Sequence, residues 1–282
     1  MRQTAVSAGK LLWGKLLFIT LGGLMLSRIE NGSSYASHLF VLILALYERT
    51  PVLESKRNPS RQAWLGFAMV ILSGFFLTGV AGYLTDGVLG LLGYRQETSH
   101  YIEFLGSGWS LLFRTSLLAP IAEEVFFRGI LLKRLLPHGI LFAAIASSFL
   151  FAIQHGVLIQ VFYAFFVGLF LCAVTYRYGL RWAIVIHILN NLTMSSILLL
   201  HYNGLPASYL TNIENILTAL GGLSMLLLLK QRREVKPWWR NFLLGQEQTK
   251  EKLWHFFKEH WMWTYVLFNV VVMIPFLISP LE

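Results

Sequence analysis

Hydrophobic positions along this chain come in long, nearly unbroken runs, neither alternating as in a half-buried strand nor recurring every third or fourth residue as in a surface helix. The runs lie at about 11–28, 37–48, 63–85, 108–132, 139–155, 158–176, 182–200, 211–229 and 261–279. Crossing about 30 Å of hydrocarbon takes roughly 20 residues of helix, so most of these runs have the length of a membrane span, and 37–48 is short for one. Outer-membrane barrels show alternating segments of about ten residues separated by turns, and that pattern is missing. The expected fold is an all-α, polytopic transmembrane helical bundle of about eight to nine membrane helices.

Composition agrees with the pattern. Of 282 residues, 56% are hydrophobic and 13% charged, against about a quarter charged in soluble domains. The net charge of +9 does not point to nucleic acid, because the cations sit in short loops between apolar runs. Arg2, Lys10, Arg49, Lys56, Arg57, Arg61, Lys133, Arg134, Arg177 and Arg181 fall on one side of the alternation, with eight more cations between Lys230 and Lys258, and only Arg95 on the other. The positive-inside rule then predicts a cytoplasmic N-terminus and an external C-terminus and favours a real crossing at 37–48; the expected location is the plasma membrane. The basic, aromatic stretch 230–260 is expected to lie along anionic headgroups. Ser34-Tyr35-Ala36 looks like a cleavage tripeptide, but Arg28 and Glu30 separate it from the first apolar run, which argues against a cleaved signal peptide. The single Cys172 excludes an internal disulfide and any multi-cysteine metal site.

Ionisable groups at membrane depth cost about 2.5–3.5 kcal/mol each and mark functional positions by default. Here they are Arg114, Glu123, Glu124, Arg128, His155 and His187, with Gln154, Asn190 and Asn191 as uncharged companions; Lys15 is expected to snorkel to the nearby interface. One helical turn separates Glu124 from Arg128, which predicts a direct pair and leaves Glu123, about 100° away, free to face a cavity. His187 and Asn191 share a helix face, as do Phe151 and His155. Simple spans place His155 and His187 roughly 15 Å apart in depth, so their convergence requires long, tilted helices or a funnel-shaped cavity; irregular backbone around Gly156 is allowed where it lines water. A structural ion cluster is the competing interpretation of the acid pair.

Three strings, Glu123-Glu124-x-x-x-Arg128, Phe151-x-x-x-His155 and His187-x-x-x-Asn191, follow one another on successive apolar segments. Together they resemble the CPBP family of intramembrane proteases, which includes type II CAAX prenyl endopeptidases and bacterial Abi or bacteriocin-immunity proteins. The resemblance implies a catalytic core at 108–200, flanked by membrane helices at 1–107 and by 201–282 with its basic loop. It implies that Glu123 activates a water which His155 helps to position, that His187 and Asn191 stabilise the oxyanion, and that Glu124 and Arg128 support them. The implied substrate is a membrane-embedded or lipidated peptide or protein, including prenylated CAAX-type peptides. Two mechanisms stay open: a metal-free glutamate protease, and a Zn site with Glu123, His155 and His187 as ligands. His-Glu-x-x-His is absent, Asp86 is the only aspartate, and no Gly-x-Ser-Gly occurs, which sets aside zincin, aspartyl and rhomboid-type serine chemistry. A non-catalytic scaffold or immunity protein of the same fold is the alternative function, and a proton-coupled transporter a third.

Overall fold

The computed structural model describes residues 1–26, 32–52, 55–95, 108–156, 158–202, 206–230, 248–273 and 279–280. Ten helical elements follow: α1 (Arg2–Met25), α2 (Gly32–Tyr47), α3 (Arg61–Leu91), α4 (108–135), α5 (Ile140–Ala152, prolonged by a 3-10 turn Ile153–His155), α6 (Leu158–Tyr178), α7 (Leu180–Tyr202), α8 (Ala207–Lys230), α9 (Thr249–Phe257) and α10 (His260–Met273). The only extended pairing among the described residues is a two-residue antiparallel contact, Tyr94–Arg95 with Ser279–Pro280. The all-α membrane bundle expected from the apolar runs is what forms.

Among the described residues, four helices are long and apolar enough to cross a bilayer by length and composition: Arg2–Met25, Arg61–Leu91, Gln160–Tyr178 and Thr211–Lys230. Tyr35–Tyr47 and Ile140–His155 are apolar but shorter. Among the described residues these helices account for part of the expected eight to nine spans. The difference has a physical source, since α4 and α7 carry Glu124, Arg128, His187 and Asn190 and bury them in the bundle. A helix shielded from lipid by its neighbours has no need of an all-apolar surface. The outer helices do face lipid: Leu226 on α8 is 65% exposed and Leu24 on α1 is 68% exposed, positions that water would penalise and hydrocarbon favours.

The interior is aromatic and close-packed, with Phe126, Phe127, Phe142, Phe151, Leu150 and Ala146 in one cluster. Close approach of backbones comes from small residues, as is common between membrane helices. At Gly221 of α8 a Cβ would stand 2.3 Å from the Leu72 carbonyl oxygen of α3, so only glycine permits that crossing. A second glycine, Gly179, takes φ 104° and lets α6 turn directly into α7.

The basic loops converge at one end of the bundle. The Thr4 hydroxyl meets His138 Nε2 at 2.7 Å, Arg134 donates to Ser7 Oγ at 3.1 Å and to Glu48 Oε1 at 2.5 Å, and Lys252 donates to the His138 carbonyl at 3.1 Å. The Lys56 amide donates to the Tyr178 carbonyl at 2.9 Å at the same end. Within the basic stretch 230–260, residues 248–258 continue toward this end through α9, and 231–247 lie outside the described residues.

Candidate active site

The site is built on α4, and α4 is not a regular α-helix. Two π segments, Arg114–Leu118 and Val125–Leu131, interrupt it on either side of Ala119–Glu124. The first has a readable cause. The Ala119 amide bonds back to the Arg114 carbonyl, five residues away. Pro120, the next residue, has no N–H to offer the Thr115 carbonyl. That orphan oxygen is taken by Asn191 Nδ2 of α7 at 3.0 Å. Ser116 Oγ donates to the Asn191 carbonyl at 3.3 Å, and Thr115 Oγ1 lies 2.7 Å from Ser195 Oγ. π segments of this kind cluster at functional sites, and this one fastens α4 to α7.

Between the π segments the two acids part company. The Glu124 side chain is fully buried and that of Glu123 is 29% exposed. Glu124 Oε1 accepts from Arg128 Nη1 at 2.9 Å and from His187 Nδ1 at 2.8 Å. A carboxylate can only accept, so the short contact assigns the Nδ1 proton to His187. The other ring nitrogen, Nε2, then stands 3.7 Å from Glu123 Oε2. That separation is too long for a direct hydrogen bond, and a water beside the two atoms can bond to both. The resulting line runs Arg128, Glu124, His187, Glu123, from the buried interior toward the open side.

His155 enters from the end of α5. The helix tightens into a 3-10 turn and stops at Gly156, whose φ of 74° only glycine adopts freely. His155 Nδ1 lies 3.1 and 3.2 Å from the carbonyl oxygens of Phe151 and Ala152, leaving Nε2 for other partners. Phe151 gathers the site: its ring meets His155 at 4.9 Å and His187 at 5.8 Å, edge to face, and the Arg128 guanidinium lies 4.3 Å from its centroid. The two histidines touch one ring, so their separation cannot exceed the sum of those two contacts. The depth gap of roughly 15 Å expected from straight helices is thus closed in the structure, with His155 in the 3-10 turn that ends α5.

Asn191 is present at the site, with one amide N–H bonded to Thr115 and its oxygen accepting from Asn190 Nδ2 at 3.2 Å; the side chain has a second N–H. Tyr163 donates to Asn190 Oδ1. As a metal site the donors fit poorly. Among the described residues no group of three His, Cys, Asp or Glu side chains is arranged to hold an ion. His187 Nδ1 bonds Glu124 and His155 Nδ1 faces backbone carbonyls, which leaves the Nε2 of each ring open, the orientation metal-binding histidines use. Glu123, His155 and His187 thus carry suitable donor atoms but are not gathered into a Zn ligand set.

Two residues escaped the sequence reading. Lys15 does not snorkel: it is 7% exposed, and its Nζ donates to Gln154 Oε1 at 2.9 Å beneath the site. The interface lies too far along α1 for a side chain enclosed by Phe126 and Phe127. His38 of α2 stands within electrostatic range of Glu123, Lys15 and Arg114. Both carried the general signal of an ionisable group inside an apolar run.

Residues 105–193 match the family model described as type II CAAX prenyl endopeptidase Rce1-like. Over 129 residues the chain is 28% identical to a Bacillus subtilis (strain 168) protein named "Putative membrane peptidase YdiL", which covers 44% of this chain and 52% of that protein. The chain thus spans about half the length of the curated relative it matches. No solved structure matches. The segment that holds Glu123, Glu124, Arg128, His155, His187 and Asn191 is similar to type II CAAX prenyl endopeptidases, in an integral membrane protein of helices.

Proposed function

We propose that the chain is an intramembrane endopeptidase with a catalytic core at 108–200, flanked by the helices of 1–107 and 201–282. The observation that carries the proposal is the line Arg128, Glu124, His187, Glu123 inside the segment similar to Rce1-like endopeptidases. Glu123 is the acid with access to water. Its carboxylate takes a proton from a water held beside His187 Nε2, and the oxygen adds to the scissile carbonyl carbon. Collapse of the tetrahedral intermediate breaks the C–N bond, with the proton passing from Glu123 to the departing amine.

For His187 to donate to the oxyanion, Nε2 must carry a proton as well as Nδ1. His187 is then an imidazolium between two carboxylates, and with Arg128 the four charges balance. The second N–H of Asn191 is the companion donor, worth roughly 2.7–4 kcal/mol in comparable oxyanion sites. His155, aimed by its backbone contacts, positions the water from the other side. Substrates of this reading are membrane-associated peptides or proteins, with prenylated C-terminal peptides the first class to try. The basic end of the bundle is assigned to the cytoplasm of the plasma membrane on its cations.

The test is Glu123→Gln in purified protein reconstituted in liposomes, with peptide libraries presented with and without a C-terminal prenyl group. Cleavage should fall by about 10²–10⁴-fold. Undiminished cleavage by the variant would overturn the assignment, and a biological phenotype that survives Glu123→Gln would favour a scaffold or immunity protein.

A further inference from the structure

Lys15 belongs to α1, far outside residues 105–193, yet its ammonium ends at the site. Its Nζ donates to Gln154 Oε1 at 2.9 Å and lies 4.7 Å from the Phe126 ring and 5.3 Å from the Phe127 ring. Those two aromatics stand just past Glu123 and Glu124 on α4. Gln154 is in turn anchored at its other end, where Nε2 donates to the Leu150 carbonyl at 3.0 Å. Gln154 and His155 occupy the same 3-10 turn, so a bond that fixes one fixes the backbone that presents the other. Glu123 is the acid in electrostatic range of Lys15, and it also acts on His38 of α2 and on His155.

A buried ammonium is expensive, and its acceptor here is the neutral amide of Gln154, which offsets only part of the desolvation cost. A leucine or methionine would fill the same space between aromatic rings without that cost. The expense is spent where a cation can act on Glu123 and on the turn carrying His155. We infer that Lys15 is a positioning residue for the reaction: it holds the 153–155 turn through Gln154, and its charge acts on the Glu123 carboxylate across the site. The inference rests on the peptidase reading of Glu123. It also adds that the first helix, beyond the matched segment, is part of the working site.

The experiment compares Lys15→Met, which keeps the stem's packing, with Lys15→Arg, which keeps the charge and a donor. Each is assayed for kcat and KM and for hydrogen–deuterium exchange of the 150–156 segment in full-length protein. Lys15→Met should lower kcat by about tenfold or more with KM nearly unchanged, since a small misplacement of a catalytic group is costly, and should speed exchange in the turn. Lys15→Arg should restore most of kcat. Wild-type kcat and exchange in Lys15→Met would overturn the inference, as would a Lys15→Arg variant no better than Lys15→Met. Should the methionine variant fail to fold, Lys15→Gln, uncharged and polar, takes its place with the same outcomes. If Glu123→Gln cleaves like the wild type, the peptidase reading falls, and exchange in the turn alone then decides whether Lys15 holds it.

Discussion

Replacing Arg128 with methionine removes the guanidinium bonded to the fully buried Glu124, and the size of the effect follows from the surroundings. Arg128 Nη1 and Glu124 Oε1 are 2.9 Å apart with both side chains at 0% exposure. At an effective dielectric near 20 their attraction is about 6 kcal/mol, and bringing two ions out of water costs several kcal/mol each. The intact pair therefore contributes little net stability. The single variant is different, because Arg128→Met leaves Glu124 charged in an apolar interior with His187 as its remaining partner. Broken buried pairs cost about 3–5 kcal/mol. The contact of the guanidinium with Phe151 at 4.3 Å adds to the loss. Unfolding of the detergent-solubilised protein, followed by circular dichroism against a denaturing detergent, should show that loss for Arg128→Met. The double variant Glu124→Gln/Arg128→Met should recover much of it, giving a coupling energy of about 1–3 kcal/mol. A loss below about 1 kcal/mol, or a cycle with no coupling, would refute the reasoning that the pair is desolvated and mutually dependent.

Asn191→Ala should destabilise by about 1–3 kcal/mol, because the Thr115 carbonyl loses the donor that Pro120 cannot supply; a thermal midpoint equal to that of wild type would show that water or a relaxed helix takes its place. Outside the membrane, burial and then the N-terminal amine and Lys252 hold the His138 imidazole below its ordinary value of 6.5. Folding thus favours the neutral ring, so its stabilising effect is complete above pH 6.5 and is lost as pH falls through the depressed value. The unfolding midpoint should drop over that window, and His138→Gln should flatten the drop; an identical slope in the variant would exclude His138 as its source.

Helix content and membrane residence were legible because hydrocarbon demands a long apolar run whatever the tertiary packing. The pairing of Glu124 with Arg128 was legible because four residues make one helical turn. What lay beyond reading was anything fixed by departures from regular backbone or by the packing of one helix on another. The partner of Asn191 depends on a π segment in front of Pro120, and the convergence of His155 on His187 depends on how the helices sit against one another, which spacing along a single helix does not carry. Lys15 was misread for a related reason. Snorkelling assumes that a long side chain meets water or headgroups at the end of its reach, whereas the next helices had already enclosed it.

The polar ties between α4 and α7 also govern how the bundle can move. Asn191 to Thr115, Ser116 to Asn191, Thr115 to Ser195 and His187 to Glu124 join the two helices at several heights. In an apolar interior each such bond has no water to replace it, so sliding one helix along the other would break several at once. Helices α4 and α7 thus form a rigid jaw, in which the register of His187 against Glu124 is fixed by bonds made elsewhere along the pair.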